Sequence, residues 1–199
     1  MMRTAPLLLF LAVFGVITVL QAEPLIKEGE ILRGRFLMDR HLQGFNKPLR
    51  SEGTIVIAPG KGLVWKTEKP FPAIVAIGVQ GIHQYVNNDK TFSITTNQFP
   101  FLNTLRQLFE QALTGNEAGL ERYFSLQQEG NTAILDKRPD AGIDWPLKKL
   151  LVRRNQGFVE SVALFKENGD RDEIHFLEQT ITLASPTSEE LQLLNGVAP

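Results

Sequence analysis

Between Ile31 and Leu183, apolar side chains recur at alternate positions in short runs, and turns rich in glycine and asparagine separate the runs. Period-two alternation lays one face of a strand on a core and leaves the other in water, whereas a helix repeats at three and four. In Leu32-Arg33-Gly34-Arg35-Phe36-Leu37-Met38-Asp39, the side chains of Leu32, Phe36 and Met38 share one face, and Arg33, Arg35 and Asp39 take the other. Further strands are expected at 54–58, 63–67, 74–79, 82–86, 91–95, 133–136, 149–153, 158–166 and 173–183. Their separators include Pro59-Gly60-Lys61-Gly62, Asn87-Asn88-Asp89, Glu129-Gly130-Asn131, Asn155-Gln156-Gly157 and Asn168-Gly169-Asp170. Such residues tolerate positive φ and close hairpins, so consecutive antiparallel pairing follows.

One segment breaks the period. From Pro100 to Leu113, the residues Phe101, Leu102, Leu105, Leu108, Phe109, Ala112 and Leu113 fall at three- and four-residue spacings, with Pro100 suited to a first helical turn and Gly115 to a stop. A second short helix is expected at Glu117 to Phe124 and a third at Thr187 to Leu194, where Thr187 and Glu190 have capping-box spacing. Apolar helix faces must lie on something. The economical arrangement is mainly β: a strongly curved antiparallel sheet, an unclosed half-barrel, whose concave face is covered by the helices.

Residues 1–22 have the three regions of a secretory signal: Arg3, an apolar run from Leu7 to Leu20, and Leu20-Gln21-Ala22 before Glu23-Pro24. The run is shorter than the roughly 20 residues that an untilted spanning helix requires. Cleavage after Ala22 is therefore expected, with a retained N-terminal anchor as the alternative. Residues 23–199 then form a single exported domain, large enough to bury a core without disulfides.

Composition narrows the chemistry. With 21 Lys and Arg against 22 Asp and Glu, the net charge of -1 supplies no field for nucleic acid. The chain has no cysteine, which excludes thiol catalysis, Cys-ligated metal and a lipid anchor on an N-terminal cysteine. His41, His83 and His175 lack metal-site spacing, Ser51, Ser93, Ser125 and Ser161 lack a nucleophile elbow, and Pro59 to Gly62 is no phosphate loop. Carboxylate pairs Asp170 with Asp172 and Glu189 with Glu190 read as solvated turn and helix-start positions, and the basic pairs Lys148-Lys149 and Arg153-Arg154 as exposed strand positions. No enzyme, cofactor or metal is called for.

The apolar inventory is what stands out. Of 13 Phe, the residues Phe36, Phe92, Phe101, Phe109, Phe158, Phe165 and Phe176 fall on faces read as inward. Close packing favours a filled concavity; a lipid-sized void is the other solution, and periodicity does not separate them.

The order and spacing of several short motifs carry a resemblance. Phe36 on an early strand, then Leu49, Ser51 and Gly53, then Leu63, Trp65 and Pro70, then Gly81, then Pro100-Phe101 and the late hairpin Asn168-Gly169-Asp170 are similar to the pattern of periplasmic outer-membrane lipoprotein carriers, the LolA-like family. The match runs from about Ile31 to about Leu183. It implies an unclosed β-barrel with a helical lid and an apolar cavity for acyl chains of lipoproteins or other envelope lipids. It also implies a monomer in the periplasm that receives cargo from an inner-membrane releasing complex and passes it to an outer-membrane receptor. By position, Phe36, Met38, Leu63 and Trp65 would line the sheet side of the cavity, and Phe101, Leu105, Leu108 and Phe109 the lid. The chain departs from the family in having Ala58-Pro59-Gly60-Lys61 where carriers place a lid-latching arginine, and in leaving only about eight residues between Ala22 and the first strand. The missing cysteine favours the soluble carrier over the lipid-anchored receptor. A protein-binding or sensor module of the envelope, on the same half-barrel with a filled core, is the alternative function.

Overall fold

In a computed structural model, which describes residues 26–98, 102, 106–107, 120–142 and 146–198, the alternating runs pair into one antiparallel sheet. Its strands are β1 (Glu30–His41), β2 (Leu49–Ala58), β3 (Gly62–Lys69), β4 (Ala73–Gly78), β5 (Gly81–Val86), β6 (Asp89–Thr95), β7 (Phe124–Glu129), β8 (Thr132–Lys137), β9 (Leu147–Asn155), β10 (Phe158–Lys166) and β11 (Arg171–Leu183); helix α1 spans Ser188–Leu194. The spatial order is β6-β5-β4-β3-β2-β1-β11-β10-β9-β8-β7. Hairpins build two half-sheets, and the pairing of β1 with β11 joins them.

The consecutive strands β6 and β7 occupy opposite edges, so the sheet does not close. The chain from Thr96 to Tyr123 must therefore cross from one edge to the other. Where this crossing is described, Leu102 is helical and buried, and Leu120 is buried in the core that contains Phe36. The crossing thus ends on the Phe36 face, which we term the inner face.

Alternation assigns the two faces. Leu32, Phe36, Ile55, Ile57, Leu63 and Ile77 from one half, with Ala133, Leu135, Val152, Val162 and Phe176 from the other, form one inner core. The intervening residues Val64, Ala76 and Tyr85 point outward and are buried under Leu193 and Leu194 of α1. Approach is close there, because a Cβ added at Gly78 would lie 2.0 Å from the Leu194 carbonyl oxygen. The capping box of α1 forms as the spacing predicts: the Thr187 hydroxyl accepts from the Glu190 amide at 3.2 Å, and the Glu190 carboxylate accepts from the Thr187 amide at 2.8 Å.

Four expectations change. The C-terminal helix covers the outer face of β3 to β5, not the concave face, because its apolar residues meet Val64, Ala76 and Tyr85. Residues 120–123 form a turn, not the end of a second helix, and Phe124 opens β7. Strand β7 went unread because Ser125, Gln127, Gln128 and Glu129 leave an edge strand too polar to show alternation. Finally, Phe92 on edge strand β6 is 47% exposed, and Phe165 sits beside outward Lys149 with the Arg171 guanidinium over its ring.

Candidate functional site

Of the phenylalanines read as inward, Phe36, Phe158 and Phe176 lie on the inner face, together with Trp65. Phe36 pairs across the seam with Phe176, and Trp65 reaches toward both from β3. The Phe36 and Trp65 ring centroids lie 3.8 Å apart with planes tilted by 31°, and Trp65 meets Phe176 edge-on at 6.3 Å. On β2 the residue opposite Phe36 is Gly53, whose absent side chain leaves this part of the inner face to the rings. A Cβ at Gly53 would lie 1.9 Å from the Lys66 carbonyl oxygen, so only glycine fits.

Burial separates a floor from a lining. Phe36 is fully buried and Leu63 nearly so, while Met38 and Trp65 are half-buried against the same core. Val75 and Ile82 from one half, and Leu150, Phe158, Leu164 and Ile174 from the other, share that intermediate status. Half-buried apolar side chains have contact surface still open, and methionine adapts its shape to what it touches. Phe101, Leu105, Leu108 and Phe109, expected on the lid, lie outside the described residues. The further lining residues obey the same alternation, but only the strand register shows that they converge with Phe36 and Trp65.

One end of this face carries an ion cluster. Asp172 is buried there, accepting from Arg40 Nε and Lys166 Nζ, each at 2.9 Å. This corrects the reading of Asp172 as a solvated turn residue, since its neighbours on adjacent strands are Arg40 and Leu164. Asp170 does serve the turn: it accepts from the Gln43 amide at 3.0 Å and from the Asn168 side chain at 2.9 Å, and the Gln43 bond, followed by that from Asn168, holds its carboxyl below the usual carboxylate range.

Away from α1 the outer face is mixed, with His175, Lys149 and Arg171 beside Leu37, Leu151 and Phe165. A cleft of about 380 Å³ beneath α1 is lined by Arg33, Thr54, Lys66, Glu189 and Glu190 among apolar neighbours. The Arg33 guanidinium grips both Glu190 carboxylate oxygens. Glu190, at 12% side-chain exposure, is thus no solvated helix-start residue. Burial pushes its carboxyl up, but Arg33 and the Thr187 amide outweigh that and hold it below the usual range.

The histidines make no metal centre. His83 is buried with Nδ1 2.9 Å from Ser93 Oγ, His41 Nε2 lies 3.5 Å from Glu173, and His175 faces outward between Ser161 and Leu37. Among the described residues no three His, Asp or Glu side chains cluster to hold a metal ion. Lys61 is exposed in the β2–β3 turn.

No family model matches the chain. An outer-membrane lipoprotein carrier protein of Dechloromonas aromatica (strain RCB) is 29% identical over 160 residues, covering 78% of this chain and 74% of the relative. Among solved structures, a LolA superfamily protein from Nitrosomonas europaea aligns over 86% of this chain and 93% of its own, with TM-score 0.46 and 5% identity. A DUF1329 family protein from Desulfovibrio piger aligns over 85% and 91%, with TM-score 0.43 and 11% identity. The sequence relative bears out the resemblance to outer-membrane lipoprotein carriers, and the sheet is unclosed as that resemblance implies.

Proposed function

We propose that this chain is a non-enzymatic carrier that holds acyl chains of lipoproteins or related envelope lipids against the inner face of its sheet while they cross the periplasm. The observation that carries the reading is the half-buried apolar lining of Met38, Trp65, Val75 and Ile174 around the buried Phe36 floor. A saturated chain loses about 0.8 kcal/mol per methylene on leaving an apolar site, so roughly 14 methylenes cost about 11 kcal/mol and unaided crossing is negligible. Phe36, Met38, Leu63 and Trp65 form the sheet side of the site, and Phe101, Leu105, Leu108 and Phe109 its lid. Residues 1–22 direct export and are removed, and residues 23–199 act as one monomeric domain. Cargo arrives from an inner-membrane releasing complex and leaves to an outer-membrane receptor, each competing by differential affinity for the loaded and empty forms.

The burial of Phe36 and Leu63 favours a second reading on the same fold, a protein-binding or sensor module with its concavity filled. Mass spectrometry of organic extracts from protein purified out of the cell envelope, with Trp fluorescence during titration by a fluorescent fatty acid, separates the two. Co-purified lipid and saturable uptake support the carrier. A lipid-free protein whose fluorescence ignores the fatty acid overturns it.

A further inference from the structure

We propose that the corner of the sheet formed by the β1–β2 and β3–β4 loops is a docking surface for an anionic phospholipid bilayer. Strands β1 and β3 run the same way on either side of β2, so both loops leave the same end of the sheet. The register pairs Arg40 with Leu49 and Glu52 with Lys69, which brings the start of β2 level with the β3–β4 loop. Three large apolar side chains are exposed there: Phe45 at 69%, Leu49 at 57% and Phe71 at 80%. The turns at 59–61, 130–131 and 156–157, at the opposite end, carry no aromatic residue.

The charges of this corner are sorted by depth. Arg50 is 71% exposed and its partner Asp39 only 22%; Lys69 is 75% exposed and its partner Glu52 only 29%. Lys47 is exposed and has no ion pair among the described residues. Within these two loops the outermost charges are therefore positive, interleaved with apolar tips, while Asp170 of the neighbouring β10–β11 turn holds the Gln43 amide. Cations at the headgroup level with aromatic side chains beside them match the anionic interface of a bilayer.

The tips are also held in place. The Gln43 amide donates to Asp170 at 3.0 Å, and the Phe45 amide to the Leu42 carbonyl at 3.1 Å. Pro70 and Pro72 flank Phe71, and Pro48 precedes Leu49, so little freedom is lost on contact. This surface goes beyond the carrier reading, because it meets the bilayer whether or not the inner face holds a lipid.

The test is co-sedimentation of the purified chain with vesicles of phosphatidylethanolamine and phosphatidylglycerol, against vesicles of phosphatidylcholine alone. Binding to the anionic vesicles is expected, weakened by salt and by Lys47→Glu, and lowered about tenfold or more by Phe45→Ser with Phe71→Ser. Because the chain has no cysteine, Asn46→Cys labelled with a polarity-sensitive fluorophore leaves both phenylalanines intact and reports insertion even if the double variant fails to fold. Its emission shifts to the blue on anionic vesicles, while the same label at Lys61→Cys, at the opposite end, stays in water. No sedimentation, equal sedimentation of a folded double variant, equal binding to both vesicle types, or an unshifted Asn46→Cys label overturns the proposal. So does a corner that binds a partner protein and leaves vesicles alone. Fatty-acid uptake read on the same samples keeps the two readings apart: vesicle binding without uptake retains this surface and removes the carrier, and uptake without vesicle binding does the reverse.

Discussion

Phe36 and Trp65 stand two strands apart, yet their ring centroids are 3.8 Å from each other, since the β2 residue opposite Phe36 is Gly53. Stability therefore depends on both the ring and the missing side chain. Phe36→Ala removes a fully buried ring at the seam of the two half-sheets and is expected to cost about 3–5 kcal/mol. Gly53→Ala, by far the smaller chemical change, is expected to be at least as damaging, because its Cβ collides with the backbone of Lys66 at 1.9 Å and not with a side chain that can move aside. Urea unfolding of both variants checks this; a Gly53→Ala protein of wild-type stability contradicts it.

The half-buried lining gives a separate prediction for uptake. Met38 lies two residues beyond Phe36 on the same face and opposite Ile174, with part of its side chain open. Met38→Gln keeps a similar length but places an amide against an acyl chain that offers it no hydrogen bond. Uptake of a fluorescent fatty acid should weaken about tenfold, which corresponds to roughly 1.4 kcal/mol and lies within the cost of an unpaired amide. Cooperative unfolding should persist, since the residue is not part of the buried floor. Unchanged uptake would remove Met38 from the lining.

How much of this was legible depended on which interactions are local. The alternation in Leu32 to Asp39 is local, and it put Phe36 and Met38 on one face correctly. The capping box of Thr187 and Glu190 is local too, and it formed. What the sequence withheld was set by contacts far apart in the chain. Glu190 is partnered by Arg33, 157 positions away, and Asp172 by Arg40, 132 positions away, so both looked like solvated acids. The same holds for α1, whose apolar residues announced a surface without saying which face of the sheet would supply it. Phe92 misled for a related reason: its alternation was sound, but β6 is an edge, and no neighbouring strand covers it.

Glu190 ties the capping box to the sheet, and its acid response follows from that. Arg33 and the Thr187 amide hold its folded pKa below the usual carboxylate value of 4.5, against the upward push of burial. The unfolded chain thus binds its proton first as pH falls. The contribution is fully present above about pH 4.5 and is lost as pH drops through the lower folded value. Glu190→Gln should flatten this part of the acid limb in a series of thermal unfolding curves, and Glu190→Ala should lower stability by about 1–2 kcal/mol near neutrality, because it removes the bond to the Thr187 amide and the Arg33 partner while the Thr187 cap itself remains. An unaltered acid limb in Glu190→Gln would place the acid sensitivity elsewhere.

His83 predicts a second, milder window closer to neutrality. The ring is buried beneath Gly196, where an added Cβ would lie 2.7 Å from it, with Ser93 on Nδ1 and, among the described residues, no partner on Nε2. Burial, and then the nearby Lys90 ammonium, push its pKa below the ordinary histidine value of 6.5. Above that value both folded and unfolded chains carry it neutral and it adds no pH dependence. As pH falls below about 6.5 the unfolded chain takes up a proton that the folded site refuses, so stability declines until the folded pKa is passed. The C-terminal segment should loosen first, because Lys90 also donates to the Gly196 carbonyl at 3.0 Å and Tyr85 to that of Leu193 at 3.3 Å, and a charged imidazole repels the same ammonium. Hydrogen exchange of the amides of Asn195, Gly196 and Val197 between pH 7 and pH 5, corrected for the intrinsic rate, should show rising exposure in the native chain and none in a folded His83→Gln variant. Equal protection in both proteins across that range would mean that the ring takes its proton without disturbing the helix end that lies on it.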